Sequence, residues 1–348
     1  MNPMRMFQFS LLLFALLASA CTTVPSAPGP RFDRDALLPA PAVERAPPEA
    51  LTLTPAEVKT VEDSFILTLY DWLRGDDYDA FRVDYQGSDG APARAHLLLP
   101  PGEGPHPGVL VFPIRGGSHI VSEALAKSLT NRGYATLRLE RRRVFQRHDP
   151  PGDFEVPASR LRASLADARR LLEWFPDHPR VDGARLGAAG VSLGGILAAT
   201  LMGMDDRIRA GLFIMAGGGL PETIHDSRDP RLSGYRDGVL EEREGLEEAD
   251  REAFLAALRP HTLEIDPLTY AANIDPERAL IVSARFDQVV PPDRTEALWE
   301  AMGRPRWIQV PTGHLEILPF FWWSIGQGAD LFDRVFAEPV GQRVADHP

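Results

Sequence analysis

The chain has 348 residues, 44% hydrophobic and 25% charged, with a formal net charge of −12. That is enough for one large domain or two small ones with a sizeable core. The acidic balance, with no concentrated Lys/Arg face, argues against a nucleic-acid binder, and the single cysteine, Cys21, excludes an intramolecular disulfide or a metal site built on several cysteines.

In chain order, residues 1–21 read as a targeting segment. Arg5 supplies a positive start, and Phe7–Ala18 is apolar but too short for a comfortable membrane span. Ala18-Ser19-Ala20 then precedes Cys21, and two readings stand. Ala-x-Ala fits an ordinary signal peptidase. Small residues directly before a lone cysteine resemble a bacterial lipoprotein box, although Ala18 occupies a position where leucine is more usual. That resemblance implies lipidation of Cys21 and, with Thr22 following it, outer-membrane sorting toward the periplasm; the alternative is a periplasmic or secreted soluble protein. Residues 22–50 are rich in Pro and Ala and read as an extended tether.

Globular patterning begins at Leu51. Thr54-Pro55-Ala56-Glu57 predicts a helix start, with the helix over 58–73. Alternating apolar residues predict strands at Phe81–Tyr85 and Ala93–Leu99. The apolar run at Val109–Phe112 predicts a strand buried on both faces. From there strands and helices alternate. Helices are expected at Ser122–Asn131, Ser159–Phe175, Leu193–Met202, Arg294–Met302 and Pro319–Phe336. Strands are expected at Ala135–Leu139, Arg185–Val191, Ile208–Met215, Ala279–Ala284 and Arg306–Val310. This rhythm predicts an α/β fold, a mostly parallel sheet with helices on both faces. Residues 220–273 break it with two charged helical stretches, Gly238–Glu247 and Asp250–Leu258, and read as a cap over the C-terminal sheet edge.

Gly190-Val191-Ser192-Leu193-Gly194-Gly195 places a serine at a strand-to-helix junction, between small residues that a tight turn requires. In open α/β sheets ligands lie beyond the carboxyl ends of the strands. Two later strands end in Arg285-Phe286-Asp287 and Pro311-Thr312-Gly313-His314. A serine hydroxyl needs a base to become nucleophilic, imidazole can supply it near neutral pH, and a carboxylate can orient the imidazole. Ser192, His314 and Asp287 are therefore the candidate nucleophile, general acid–base and orienting acid. Taken singly, Asp287 could be a loop cap and His314 an ordinary loop histidine.

These stretches, with Val181-Asp182-Gly183-Ala184-Arg185, Asp287-Gln288-Val289-Val290-Pro291 and Gly313-His314, resemble the α/β-hydrolase superfamily from Val109 to Phe336, with the domain reaching back to Leu51. The domain is taken as 51–340 with the cap at 220–273. The branch looks like the dienelactone-hydrolase and acyl-esterase/peptidase group. The resemblance implies a serine hydrolase without a cofactor or metal, cleaving a carboxylic ester through an acyl-enzyme; a peptidase, an acyltransferase or a catalytically dead binding lipoprotein are the alternatives. It also implies an oxyanion hole made by the Leu193 N–H and by that of Arg115, or of Ile114 one residue earlier, because Pro113-Ile114 stands where relatives often carry His-Gly. Expected partners are a small or acylated substrate and, through Cys21, a membrane. Glu140-Arg141-Arg142-Arg143 with Arg147 and His148 reads as a solvated loop, Phe320-Phe321-Trp322-Trp323 as the core face of the last helix, and His119 and Glu316 as bystanders.

Overall fold

The computed structural model describes residues 21–25, 39, 46–55, 77–115, 120–140, 144, 153–242 and 251–339. Its centre is a ten-stranded sheet. The strands are β1 (Thr22–Thr23), β2 (Thr52–Pro55), β3 (Asp79–Gln86), β4 (Pro92–Leu99), β5 (His106–Phe112), β6 (Ala135–Leu139), β7 (Val181–Val191), β8 (Ile208–Ile214), β9 (Ala279–Ala284) and β10 (Arg306–Val310). Their spatial order is β1-β10-β9-β8-β7-β5-β6-β4-β3-β2. The run from β10 to β6 is parallel, whereas β4, β3 and β2 continue antiparallel and β1 closes the far edge antiparallel to β10. This is the α/β-hydrolase fold expected from the sequence.

The parallel strands are chiefly apolar along their central stretches, such as Val109–Phe112 and Ala279–Ala284, because both faces are covered there. On one face, helices α2 (Glu155–Leu171), α3 (Leu193–Met204) and α7 (Pro292–Ala301) contribute Leu165, Leu197 and Leu298 to one core layer. On the other face, α1 (Ile120–Thr130) and α8 (Leu318–Ala337) contribute Leu125, Leu129, Phe321 and Phe332. Three cap helices follow β8: α4 (Leu220–Asp226), α5 (Pro230–Glu242) and α6 (Arg251–Thr262). Phe254, Leu255 and Leu258 of α6 bury against Phe154, just ahead of α2. Phe154 meets the rings of Phe254 and Tyr235 edge-on, each at a centroid distance of 6.1 Å. One aromatic side chain thus pins cap to core.

Several boundaries differ from expectation for identifiable reasons. Thr54 and Pro55 belong to β2 and pair with β3, not to a helix start; the helix expected over 58–73 lies outside the described residues. Thr22–Thr23 add to the sheet edge, with the Val24 N–H donating to the Trp307 carbonyl at 2.9 Å, so the stretch expected to be an extended tether begins paired with β10. β7 starts at Val181, because Val181 and Asp182 pair with His106 and Pro107 ahead of an irregularity in register. α2 starts at Glu155 and carries Pro157 in its first turn, where a missing N–H costs nothing. In the cap, Asp229 caps a helix that starts at Pro230, earlier than expected, and α4 was not expected at all. Phe320 and Phe321 are buried in the core, in line with the reading of that aromatic run. No helix among the described residues is long and apolar enough to cross a membrane.

Candidate active site

Ser192 stands at the end of β7 and the head of α3 with φ 56° and ψ −126°. A non-glycine residue with positive φ carries backbone strain, of order 1–3 kcal/mol, which persists only where the surroundings enforce it. Here they do. A Cβ on Gly190 would overlap the Gly194 carbonyl, and one on Gly194 would lie 2.6 Å from the Phe112 carbonyl oxygen. The chain can turn this tightly only with glycine at both positions. The Ser192 N–H donates to the Ile214 carbonyl of β8 at 2.8 Å, which fixes the corner against the neighbouring strand.

The loops after β9 and β10 bring the other two residues to this corner. They are linked to each other by the Arg285 N–H donating to the Val310 carbonyl at 2.8 Å and the Phe286 N–H to the Thr312 carbonyl at 2.9 Å. Asp287 is buried, and its Oδ1 accepts from the Val289 and Val290 N–H groups, both at 2.8 Å. Its Oδ2 lies 2.7 Å from His314 Nδ1, and His314 Nε2 lies 2.9 Å from Ser192 Oγ. An ionised carboxylate can only accept, so Nδ1 carries the proton and Nε2 of the neutral ring accepts from the serine hydroxyl. The structure therefore joins Ser192, His314 and Asp287 in one hydrogen-bonded chain.

Leu193 is the first residue of α3, and its N–H is among those an α-helix leaves without an internal acceptor. The helix dipole adds a favourable field for negative charge there. Arg115 follows β5 and shares the lining of one cavity with Ser192 and Leu193; Ile114 packs instead against the core layer of α1 and α8. The Arg115 guanidinium is paired with Asp229 of the cap at 2.6 Å. Next to it, the Arg228 N–H donates to the Gln288 carbonyl at 2.8 Å, beside the acid. Residues 228 and 229 thus tie the cap to both the Arg115 loop and the Asp287 loop. Asp229 was not anticipated: the Ser-Arg-Asp-Pro pattern signals a helix cap, but nothing in it points to Arg115.

The cap is seated at its base by Asp266, whose buried carboxylate accepts from the N–H groups of Gly219 at 3.0 Å, Leu220, and Leu268 at 3.0 Å. Burial pushes this carboxyl up, against the three donors. The cavity beneath the cap has a volume of about 70 Å³ and is lined chiefly by apolar side chains from α2, α3 and the cap.

The remaining sequence candidates lie elsewhere. Glu140 is held by His96 at 2.8 Å and faces Arg94 on the β4 side. Glu316 is exposed beside Gly313. His119, Arg141 to Arg143, Arg147 and His148 lie outside the described residues. Cys21 is partly buried at the sheet edge, where burial pushes its thiol up.

No protein-family model matches the chain. Among curated proteins it is 28% identical over 182 residues to acyl-coenzyme A thioesterase 2, mitochondrial, of Mus musculus, covering 49% of this chain and 38% of that protein. It is 31% identical over 121 residues to bile acid-CoA:amino acid N-acyltransferase of Mus musculus, covering 35% of this chain and 26% of that protein. The likeness therefore spans well under half of either relative. Among solved structures, an acetyl xylan esterase from Paenibacillus sp. R4 superposes with a TM-score of 0.59 at 17% identity, over 82% of this chain and 89% of the esterase. Acylaminoacyl peptidase of Pyrococcus horikoshii gives 0.53 at 14% identity, over 81% and 45%. At these identities the structures share the α/β-hydrolase fold.

Proposed function

We propose that the protein is a serine hydrolase that cleaves a carboxylic ester. The observation that carries this is the Ser192–His314–Asp287 chain, with the serine on a strained corner at the head of a helix. Ser192 Oγ attacks the carbonyl carbon while His314 Nε2 takes its proton. The resulting oxyanion is held by the Leu193 N–H and by that of Arg115. Collapse expels the alcohol, which leaves with the proton from His314. Water then attacks the acyl-enzyme, with His314 again as base, and releases the acid and free Ser192.

The local likeness to a thioesterase and an N-acyltransferase supports a second reading, in which the substrate is a thioester or the acyl group passes to an amine. The same triad serves all three reactions. Rates on matched oxygen esters and thioesters, with and without an amine acceptor, separate them. Ser192→Ala is expected to abolish turnover of short aryl esters, and undiminished turnover in that variant would overturn the assignment.

A lipid anchor on Cys21 at the cell envelope is part of the same proposal. It is supported by the small residues before the lone cysteine and by the apolar run ahead of them. Cys21→Ser is then expected to release the protein from membranes; retention of that variant on membranes would contradict the anchor.

A further inference from the structure

We infer that the acyl half of the substrate is an uncharged, chiefly aliphatic chain that lies under the cap; this rests on Ser192 being the nucleophile. The cavity that Ser192 borders is walled from the core by Leu161 and Ile196 and from the cap by Leu220, Leu258 and Ile265. Its charged lining side chain, among the described residues, is Arg115, and that guanidinium is engaged by Asp229. The hydroxyls of Tyr235 and Thr262, also in the lining, donate to the backbone carbonyls of Asp153 and Leu258, both at 3.2 Å. Thr223 Oγ1 in the same lining is buried and has no hydrogen-bond partner among the described residues, so it offers a bound group one neutral contact and no charge. A carboxylate or ammonium on the bound group would be stripped of water with no uncommitted counter-charge in the lining, which is strongly unfavourable. An alkyl chain gains from the same burial.

The chamber suits the acyl half for a kinetic reason. In an acyl-enzyme the acyl group stays covalently bound while the alcohol must leave before water enters. A chamber roofed by the cap can hold the retained half without delaying departure of the other. Both walls then have a function: α3 carries Ile196 one turn beyond Ser192, and α6 carries Leu258 in the helix that Phe154 pins down.

The test uses the full chain and kcat/KM on three ester series. The first is p-nitrophenyl esters from acetate to dodecanoate. The second compares the hexanoate with the mono-p-nitrophenyl ester of adipic acid, which ends in a carboxylate. The third keeps acetate and lengthens the alcohol. In the first series the rate constant is expected to rise about fourfold per methylene until the chain outgrows the chamber. The adipate ester should fall at least about tenfold below hexanoate, and the alcohol series should show no comparable rise. Leu258→Trp should lower the hexanoate-to-acetate ratio at least about tenfold by filling the chamber; the wild-type series decide the matter if that variant does not fold. A flat or falling acyl profile, equal rates on adipate and hexanoate, a rise confined to the alcohol series, or an unchanged ratio in a folded Leu258→Trp protein would overturn the inference. Those outcomes leave the serine-hydrolase reading intact. Absence of acetate turnover together with absence of fluorophosphonate labelling at Ser192 would overturn both.

Discussion

The carboxylate of Asp229 lies 2.6 Å from the guanidinium of Arg115 and so joins the cap to the loop that follows β5. Both side chains are mostly buried, so the pair is little screened by solvent. If the Arg115 amide holds the oxyanion, its placement depends on the cap being seated. Asp229→Ala is expected to lower kcat on short esters by about 10- to 100-fold, as small misplacements near the chemistry do, with a smaller change in KM. Arg115→Ala should do the same, and the double variant should be no worse than either single one, because the two act through one contact. Additive losses in steady-state kinetics would show that they act separately.

Asp287→Asn tests the acid more sharply than truncation. The amide keeps the size of the side chain and can still accept from Val289 and Val290. It no longer offers His314 Nδ1 a charged acceptor that fixes the tautomer. A loss in kcat on the order of 10⁴-fold is expected, with thermal stability close to wild type.

Gly190→Ala tests the corner. The added methyl would collide with backbone at Gly194, which belongs to α3 and cannot rotate away as a side chain could. A destabilisation of about 3 kcal/mol is expected from urea unfolding. A stable, fully active Gly190→Ala protein would contradict the tight strand-to-helix turn.

Asp205 and Arg207 contribute to the acid limb of stability. Asp205 is buried and accepts from Arg207 Nε at 2.8 Å and Nη2 at 2.7 Å. Burial pushes the Asp205 carboxyl up, but Arg207 outweighs it and leaves the group below the ordinary carboxylate value. A depressed acid stabilises the fold above its unfolded pKa of about 3.9 and loses that contribution as pH falls through its folded value. Asp205→Asn should therefore cost about 3 kcal/mol near neutral pH, the low end for a broken buried pair, because Glu173 still faces Arg207 at 2.9 Å. The variant should also show a shallower decline in stability below about pH 4, measured by thermal denaturation across pH.

Much of this was legible in the sequence where one local rule dominates. Strands β6, β9 and β10 begin and end where the sequence placed them; β9 is the clearest, since every residue of Ala279–Ala284 is buried and the run is almost wholly apolar. Ser192, Asp287 and His314 could be singled out because each follows its own strand, and a parallel sheet delivers those ends to one edge. Thr54-Pro55 misled because a helix-start signal was overruled by pairing with β3, a contact distant in sequence. The Asp229–Arg115 pair was invisible for the same reason: 114 residues separate partners that only the closed cap brings together. The cap helix α4 is short and ends in His225-Asp226, without the apolar stripe that marks a long amphipathic helix.

The most direct measurement is labelling of the purified full chain with a fluorophosphonate, followed by peptide mapping of the adduct in wild type and in Ser192→Ala. The account predicts a single stoichiometric adduct on Ser192 in the wild type and none in the variant. An adduct on another residue, or no adduct in a folded wild-type protein, would contradict it.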